Sequence, residues 1–489
     1  MEWDFICYDT HMYFLGQRVH PTWFVTIGCI GLLVGVAGAR YVGQVSVLFL
    51  AAGGAAVLLG FLRRHAWMFA LVLVGAGMIG LWRGGLEAQA LGVYAGMIGK
   101  QVTLTGKIAG DPQIVDGGKQ SVAMTGITIK NQRVAGAVRV TLGETPKLRR
   151  EDRVTVGAVL SAGYGTYAAV MHDARLEKIE RPEDIFLNAR DGLSVALRTA
   201  MSEPMASLGV GFLVGQKSEL PSDFSEALKI AGLTHIVVAS GYNLTILVRL
   251  ARRLFEKISK YQAALWSMGM ILGFMAITGW SASMTRAGLV AGLSLWAWYY
   301  GRTFHPVTLL AVAASITAMV YPPYAWGDIG WALSFAAFAG VIIFAPLLQA
   351  YFYDKQKATF VARTVIETAS AQLVTLPIML GVFGQFSVVA LISNVMILAL
   401  VPLAMLLTFV AGVSQILLPG IAEVLAWPAQ VLLGYMVWAV GWTASFPWAQ
   451  IAWQMPWWGV IISYVGIIGA CIYLRCVTGY NLRQVNIVE

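Results

Sequence analysis

Residues 66–82 read AWMFALVLVGAGMIGLW, seventeen positions without a charge, which is long enough to cross the hydrocarbon core of a bilayer. Fewer than twenty residues later, Gln101 to Gly106 read QVTLTG, an alternation of period two that belongs to a strand. That switch decides the fold class: a polytopic α-helical membrane protein with an inserted extracytoplasmic β-barrel. Upstream, residues 22–39 and 43–62 are also apolar, and Arg63-Arg64 separate the second stretch from the third. Downstream, alternating segments recur at Gln101–Gly106, Ser121–Ile129, Gly136–Leu142, Arg153–Leu160 and Thr166–Ile179. Turn signals lie between them at Asp111-Pro112, Asp116-Gly117-Gly118 and Gly163-Tyr164-Gly165. Five short strands with glycine-rich turns suggest a small antiparallel barrel of OB type, with a less specific β-sandwich as the alternative.

The whole composition agrees with a membrane protein. Of 489 residues, 58% are hydrophobic and 12% charged, and the mean hydropathy is +0.70. Soluble domains carry about twice that share of charges, so a cytosolic enzyme, a secreted domain and a disordered scaffold are all excluded. The net charge of +9 suggests basic cytoplasmic loops first and a polyanionic partner second. The cysteines, Cys7, Cys29, Cys471 and Cys476, form no CxxC pair, so neither a zinc site nor a disulfide framework is indicated, and Cys471 and Cys476 read as packing residues. Met1-Glu2-Trp3-Asp4 lack the basic region of a cleavable signal, so the first span is expected to remain.

After Pro182 the pattern is helical. Residues 184–202 and 222–231 are amphipathic and too polar to span, as interfacial helices are. Apolar stretches follow at 232–250, 263–280, 285–300, 306–321, 328–350, 367–383, 388–412, 423–445 and 457–475, giving eleven to twelve expected crossings or re-entrant segments. The expected organisation is a membrane region of about three helices (1–90), an OB-like domain (91–185), amphipathic helices (186–231) and a transmembrane channel domain (232–489). Loops 62–66, 249–262, 301–305 and 351–365 hold eleven Lys and Arg, whereas the opposing loops hold only Arg40 and Arg286. That asymmetry puts both termini in the cytoplasm and the β domain outside; the resemblance given below implies the inner (cytoplasmic) membrane. Trp442, Trp448, Trp453, Trp457 and Trp458 cluster like an interfacial aromatic belt.

No P-loop, Gly-x-Ser-x-Gly elbow or histidine spacing of a metal site occurs, so no catalytic residue, metal or cofactor is expected. What stands out is polar residues within apolar segments, which are costly in lipid and face a bundle interior or a watery path. The first set is Gly232 to Asn243, with Thr234, His235, Ser240, Gly241 and Asn243. The second is Thr278 to Ala287, where Arg286 suits either an interfacial anchor or a phosphate contact. The third is Asp328 to Phe335, where Asp328 reads as a helix cap in preference to a partner for Arg286. The fourth includes Gln372, Pro377, Gly384, Ser387, Ser393 and Asn394, in which Gln372 and Asn394 are the expected partners of carbonyls freed by Pro377.

These four stretches, in this order, resemble the ComEC family, the competence-protein channels that import DNA during natural transformation. Gly209 to Asn243 is similar to a segment ending in Ser-Gly-Leu-His, here Ser240-Gly241-Tyr242-Asn243. Thr278 to Ala287 is similar to the family's Thr-Gly-Phe-x-x-Ser-x-x-Arg-Ala string, Asp328 to Phe335 to its Gly-Phe-x-Leu-Ser-Phe pattern, and Ala371 to Asn394 to its Ala-Gln…Pro…Phe-Gly…Ser…Asn run. The family's Gly-Asp-Arg reads Gly215-Gln216-Lys217 here, the terminal histidine of the first motif is Asn243, and the external domain has no cysteine for the disulfide found in some relatives. Many members carry a C-terminal metallo-β-lactamase-like domain. This sequence ends at Glu489 without one, so the resemblance implies a nuclease on another polypeptide or DNA that arrives single-stranded.

The resulting expectation is a conduit for single-stranded DNA whose path is lined or shaped by Ser240, Gly241, Asn243, Arg286, Gln372 and Asn394. Residues 84–222 hold 16 Lys and Arg against 14 Asp and Glu, a weak electrostatic funnel. Within them Lys147, Arg149, Arg150 and Arg153 form one basic cluster that either contacts DNA or is a solvated turn. Single-stranded DNA and membrane lipid are the expected partners. An external DNA receptor, a cytoplasmic ATPase or helicase and a separate nuclease are implied by the resemblance. A transporter or flippase for a small anionic solute or a lipid-linked substrate, with Arg286 as the cation, is the competing class. An intramembrane hydrolase using Ser240 is a third, for which no base is visible.

Overall fold

The computed structural model describes residues 20–42, 45–63, 65–115, 118–143, 146, 148–216, 220–237, 240–302, 305–353 and 358–480. They divide into two units: Met1–Glu183 with Trp280–Ala282 and Val307–Ala332, and Asp184–Gly279 with Ser283–Pro306 and Leu333–Glu489. Residues 307–332 therefore belong with the N-terminal helices and not with the rest of 232–489.

The first unit starts with the helices Pro21–Gly38, Leu48–Arg63 and Met68–Leu91. His20 caps the first, its Nδ1 accepting from the Thr22 N–H at 3.3 Å, with Pro21 at the position where a missing N–H costs nothing. Small residues explain why these helices lie so close. Gly31 and Gly35 on one helix, and Gly80 and Gly84 on its neighbour, are spaced by four, and a Cβ at Gly35 would overlap the Gly77 carbonyl oxygen. Backbone then meets backbone, which is the main source of helix attraction in lipid. Polar side chains hold Pro306–Val320 and the loop after it against Pro21–Gly38. Thr26 and Thr308 share a hydroxyl hydrogen bond of 2.8 Å, Ser315 donates to the Cys29 carbonyl at 2.9 Å, and the Trp326 indole donates to the Val36 carbonyl at 2.7 Å. These side-chain pairings draw 307–332 into this unit.

The same unit contains the strands β1 (Gln101–Ile108), β2 (Gln113–Val115), β3 (Lys119–Ile129), β4 (Gln132–Val134), β5 (Ala137–Leu142), β6 (Arg153–Ala162) and β7 (Tyr167–Glu180). Five of them close into a barrel in the order β1-β6-β7-β5-β3, with β3 returning to β1 through Leu104↔Ile129 and Ile108↔Met124. Every pairing is antiparallel except β5 with β7. Counting only the five barrel strands, the cycle is 1-2-3-5-4-1 with a parallel 3–5 pair, which fits an OB-like fold. Alternate residues fill the interior, among them Leu104, Met124, Val138, Val156 and Met171, all fully buried.

The second unit is helical apart from β8 (Gln385–Ser387) and β9 (Gln450–Ala452), which pair antiparallel. Ile185–Ala200 and Ser222–Ile230 are amphipathic, whereas Met205–Val214 between them is apolar throughout and nearly all buried. Asp184 caps the first, accepting from the Phe186 and Leu187 N–H groups at 2.8 and 3.2 Å. Across the described residues seven helices are long and apolar enough to cross a membrane. An eighth arises if Ala390–Leu398 and Val401–Leu417, bent by 52°, count as one span. This is fewer than the eleven or twelve apolar stretches, in part because Leu48–Arg63 and Pro306–Val320, which correspond to two of them, are short. Trp438 stacks on Trp442 and Phe446 on Trp448, and Trp442 meets Phe446 edge-on. Cys476 is disulfide-bonded and so not merely a packing residue, whereas Cys29 and Cys471 are free thiols.

Gly35→Leu should destabilise the detergent-solubilised chain by about 1–3 kcal/mol, because the glycine contact has no room to relax. Gly54→Leu, where an added Cβ meets nothing within 4 Å, should change stability by less than about 0.5 kcal/mol. Thermal unfolding of both variants checks this.

Candidate polar conduit residues

Most residues of the four polar stretches lie in the second unit; Trp280–Ala282 and Asp328–Ala332 belong to the first. Met205–Val214 is seated through glycines: a Cβ at Gly209 would lie 2.7 Å from Thr408 Cγ2, and one at Gly211 2.6 Å from Val237 Cγ1. Its last turn exposes carbonyls with no helical donor. Asn243, fully buried, supplies one: its Nδ2 donates to the Phe212 carbonyl at 3.2 Å. The same side chain accepts from Ser240 Oγ at 3.3 Å, and Ser240 stands at the N-cap of Gly241–Phe255. Asn243 is thus a strut between two helices and does not face open space.

Gly241 has a different task. A Cβ there would lie 3.0 Å from Ala287 Cβ and 3.5 Å from Arg286 Nη2, so the absent side chain admits the helix Ala282–Tyr299 and its arginine. Arg286 Nε donates to Ser334 Oγ at 2.6 Å, and Ser334 is 3.3 Å from Ser283 Oγ. The guanidinium lies over the rings of Phe335 and Phe338, 5.8 and 5.2 Å from their centroids. Among the described residues no carboxylate pairs with it. Arg286 is therefore a cation held by one neutral hydroxyl and two aromatic faces. Asp328 caps Ile329–Ala339, accepting from the Trp331 N–H at 2.7 Å, as its position in the sequence suggests.

The fourth stretch docks on the first. Ser387 Oγ and Ser393 Oγ donate to the carbonyls of Ile230 and Ala231 at 2.6 and 2.7 Å, closing the C-terminal end of Ser222–Ile230. Gly232, with φ +72°, turns the chain where a Cβ would come 2.5 Å from Ala390 Cβ. Asn394 is buried, its Nδ2 donating to the Ala390 carbonyl at 2.7 Å and its Oδ1 without a partner. Gln372 is half-buried, and its backbone carbonyl accepts from Thr375 Oγ1 at 3.1 Å. Neither amide relieves the carbonyls around Pro377. Tyr464 serves the carbonyl next to the one Pro377 releases, its hydroxyl donating to the Val374 carbonyl at 3.0 Å.

On the barrel, Lys147 lies outside the described residues. Arg150 is 5% exposed and buried against the protein, so it is not part of a surface cluster. Buried Asp152 organises this turn, accepting from the Arg149 N–H at 2.8 Å and from Arg181 Nε at 3.2 Å; Arg153 remains exposed. A better surface lies elsewhere. Arg139 on β5 donates to Ser121 Oγ on β3 at 2.9 Å and to the Tyr164 hydroxyl at 2.8 Å. Its guanidinium sits 5.9 and 5.8 Å from the ring centroids of Tyr164 and Tyr167. Burial holds the Tyr167 phenol above its usual pKa, and the Arg139 charge opposes this. Tyr164 stays 54% exposed. In barrel order these residues come from the second and third strands and the loop between the fourth and fifth, the face on which OB folds take oligonucleotides or oligosaccharides. The sequence signal was a tyrosine inside the Gly163–Gly165 turn, legible only as a turn. Among the described residues no three His, Cys, Asp or Glu side chains gather to hold a metal ion.

The family model described as "Competence protein" matches residues 212–476, more than half of the chain. The chain belongs to the competence protein family. Gly241, Arg286, Ser334, Ser387 and Asn394 all fall within the matched region. The chain is similar to ComE operon protein 3 of Bacillus subtilis (strain 168), 25% identical over 214 residues. The match takes in 43% of this chain and 27% of that relative's length, so the chain spans well under half of the curated relative it matches. No solved structure matches the chain.

Asn243→Leu should cost about 1–3 kcal/mol by orphaning the buried Phe212 carbonyl, and Ser240→Ala about 1 kcal/mol through the lost cap. Scanning fluorimetry of the detergent-solubilised variants should rank them in that order.

Proposed function

We propose that this competence-family chain is an inner-membrane conduit that passes single-stranded DNA into the cytoplasm during natural transformation. The observation that carries the reading is Arg286, a guanidinium within the helical unit that meets Ser334 and two phenyl rings and pairs with no carboxylate among the described residues. An uncompensated cation in such a place is expensive, and a passing phosphate would relieve the cost through charge-assisted hydrogen bonds. A structural arginine would be expected to have a carboxylate partner. Family membership supports DNA as the polyanion.

In this reading both termini are cytoplasmic and the barrel is external, as the distribution of Lys and Arg between loops suggests. The Arg139–Tyr164–Tyr167 surface receives the strand by stacking, which needs no base preference. The chain acts as a passage and not as a catalyst. An external receptor delivers the DNA, a separate nuclease supplies a single strand, and a cytoplasmic ATPase or helicase pulls it.

Deleting the gene and measuring labelled DNA that becomes nuclease-protected in the cytoplasm tests the reading. Entry should be lost while capture at the cell surface persists; undiminished entry would remove the conduit and favour transport of a small anionic solute. In the complementing copy Arg286→Ala should lower entry at least roughly tenfold, as losing a charged contact does, and Arg286→Lys should restore part of it. Tyr164→Ala should weaken oligonucleotide binding by about 1–3 kcal/mol.

A further inference from the structure

The helix Gly241–Phe255 carries a second cationic element, separate from Arg286. Positions 242, 249 and 253 share one stripe, because seven and eleven residues are close to whole numbers of helical turns. The buried residues Leu244, Val248 and Ala251 occupy the opposite side. Tyr242 begins the stripe, 41% exposed, with its hydroxyl on the Leu398 carbonyl at 3.2 Å. Arg249 comes next. Its guanidinium lies in the electrostatic field of Arg253 one turn on, and of Arg363 and Glu367 on the helix Phe360–Val382.

Glu367 is already engaged, accepting from Arg363 Nε at 2.7 Å. Arg249 Nε is buried with no hydrogen-bond partner. Arg249 therefore feels two further guanidiniums and a carboxylate that Arg363 already engages, and the like-charge repulsion on it calls for an anion. Guanidinium forks fit phosphodiester oxygens.

The neighbouring face of the helix behaves differently. Arg252 and Lys260 each lie 5.4 Å from the Trp298 ring, and Arg252, whose Nε like that of Arg249 has no hydrogen-bond partner, has Glu256 as its own ion partner at 3.8 Å. Paired cations and aromatics of this kind anchor a helix end at the lipid interface. Arg249 instead feels the charges of Arg363 and Glu367.

We propose that Arg249, Arg253 and Arg363 bind the phosphodiester backbone of the strand where it leaves the helical unit. This rests on the conduit reading above and gives it an exit site at the cytoplasmic end, where loops 249–262 and 351–365 place their positive charge.

The test is binding of a fluorescein-labelled oligothymidylate to the full chain in phosphatidylcholine nanodiscs across a series of salt concentrations. A Tyr164→Ala background reduces the barrel's contribution. The double variant Arg249→Gln/Arg253→Gln should weaken binding roughly tenfold and reduce the salt slope by about 1.4, two contacts at ~0.7 each for a single strand. Arg249→Lys/Arg253→Lys should retain the slope, which separates lost charge from lost folding, and Arg252→Gln should change neither quantity. Unchanged affinity and slope in the double Gln variant would overturn the site. So would unchanged oligonucleotide binding combined with lost retention of phosphatidylglycerol, which would assign the arginines to lipid. If the parent chain, with Tyr164 intact, binds no oligonucleotide, the conduit reading itself fails and the exit site falls with it.

Discussion

Carbonyl groups at the ends and breaks of helices have no water to turn to in an apolar bundle, and that constraint organises the second unit. Each of the carbonyls at issue is met from another element. Asn243 serves Phe212, Ser387 serves Ile230, Ser393 serves Ala231 and Tyr242 serves Leu398. The last case has a covalent origin: Pro402 has no N–H, so the carbonyl four residues earlier, that of Leu398, is released. The Tyr242 hydroxyl fills the gap at the 52° bend. A hydrogen bond is worth little net, but leaving any of these acceptors buried and unmet would cost about 1–3 kcal/mol. Short broken helices and intramembrane Ser, Asn and Tyr residues therefore occur together.

Within that frame the polar residues divide into two kinds. Ser240, Asn243, Ser387 and Ser393 are consumed by the architecture. Arg286 is not, since it uses one hydroxyl and two aromatic faces and keeps its charge. Asn394 also keeps an unmet oxygen, Oδ1, in a buried position. The division separates residues that build the unit from those left over for a charged or polar guest. Gly241 links the kinds, because its missing side chain is what allows Ala287 and Arg286 to approach the helix capped by Ser240.

The barrel repeats the lesson with different chemistry. The cluster that is dense in sequence, around Arg149 to Arg153, is divided by the fold: Arg150 is buried and Arg153 is exposed, in a turn organised by buried Asp152. The surface that presents both a cation and exposed aromatic carbon combines Ser121, Arg139 and Tyr164, residues spread over more than forty positions of chain.

The membrane class, the five barrel strands and the helix cap at Asp328 were all legible from the sequence alone. Each depends on local periodicity or composition: apolar length for a span, period two for a strand, a carboxylate before an apolar run for a cap. The four polar stretches were legible as well, but not their partners. That Asn243 braces Phe212, that residues 307–332 pack with the N-terminal helices, and that Arg139 meets Tyr164 are decisions of tertiary structure. The physical reason is that hydrogen-bond satisfaction and like-charge proximity depend on distance in space, and a polar residue in an apolar run looks the same whether its partner is a carbonyl, a phosphate or nothing at all.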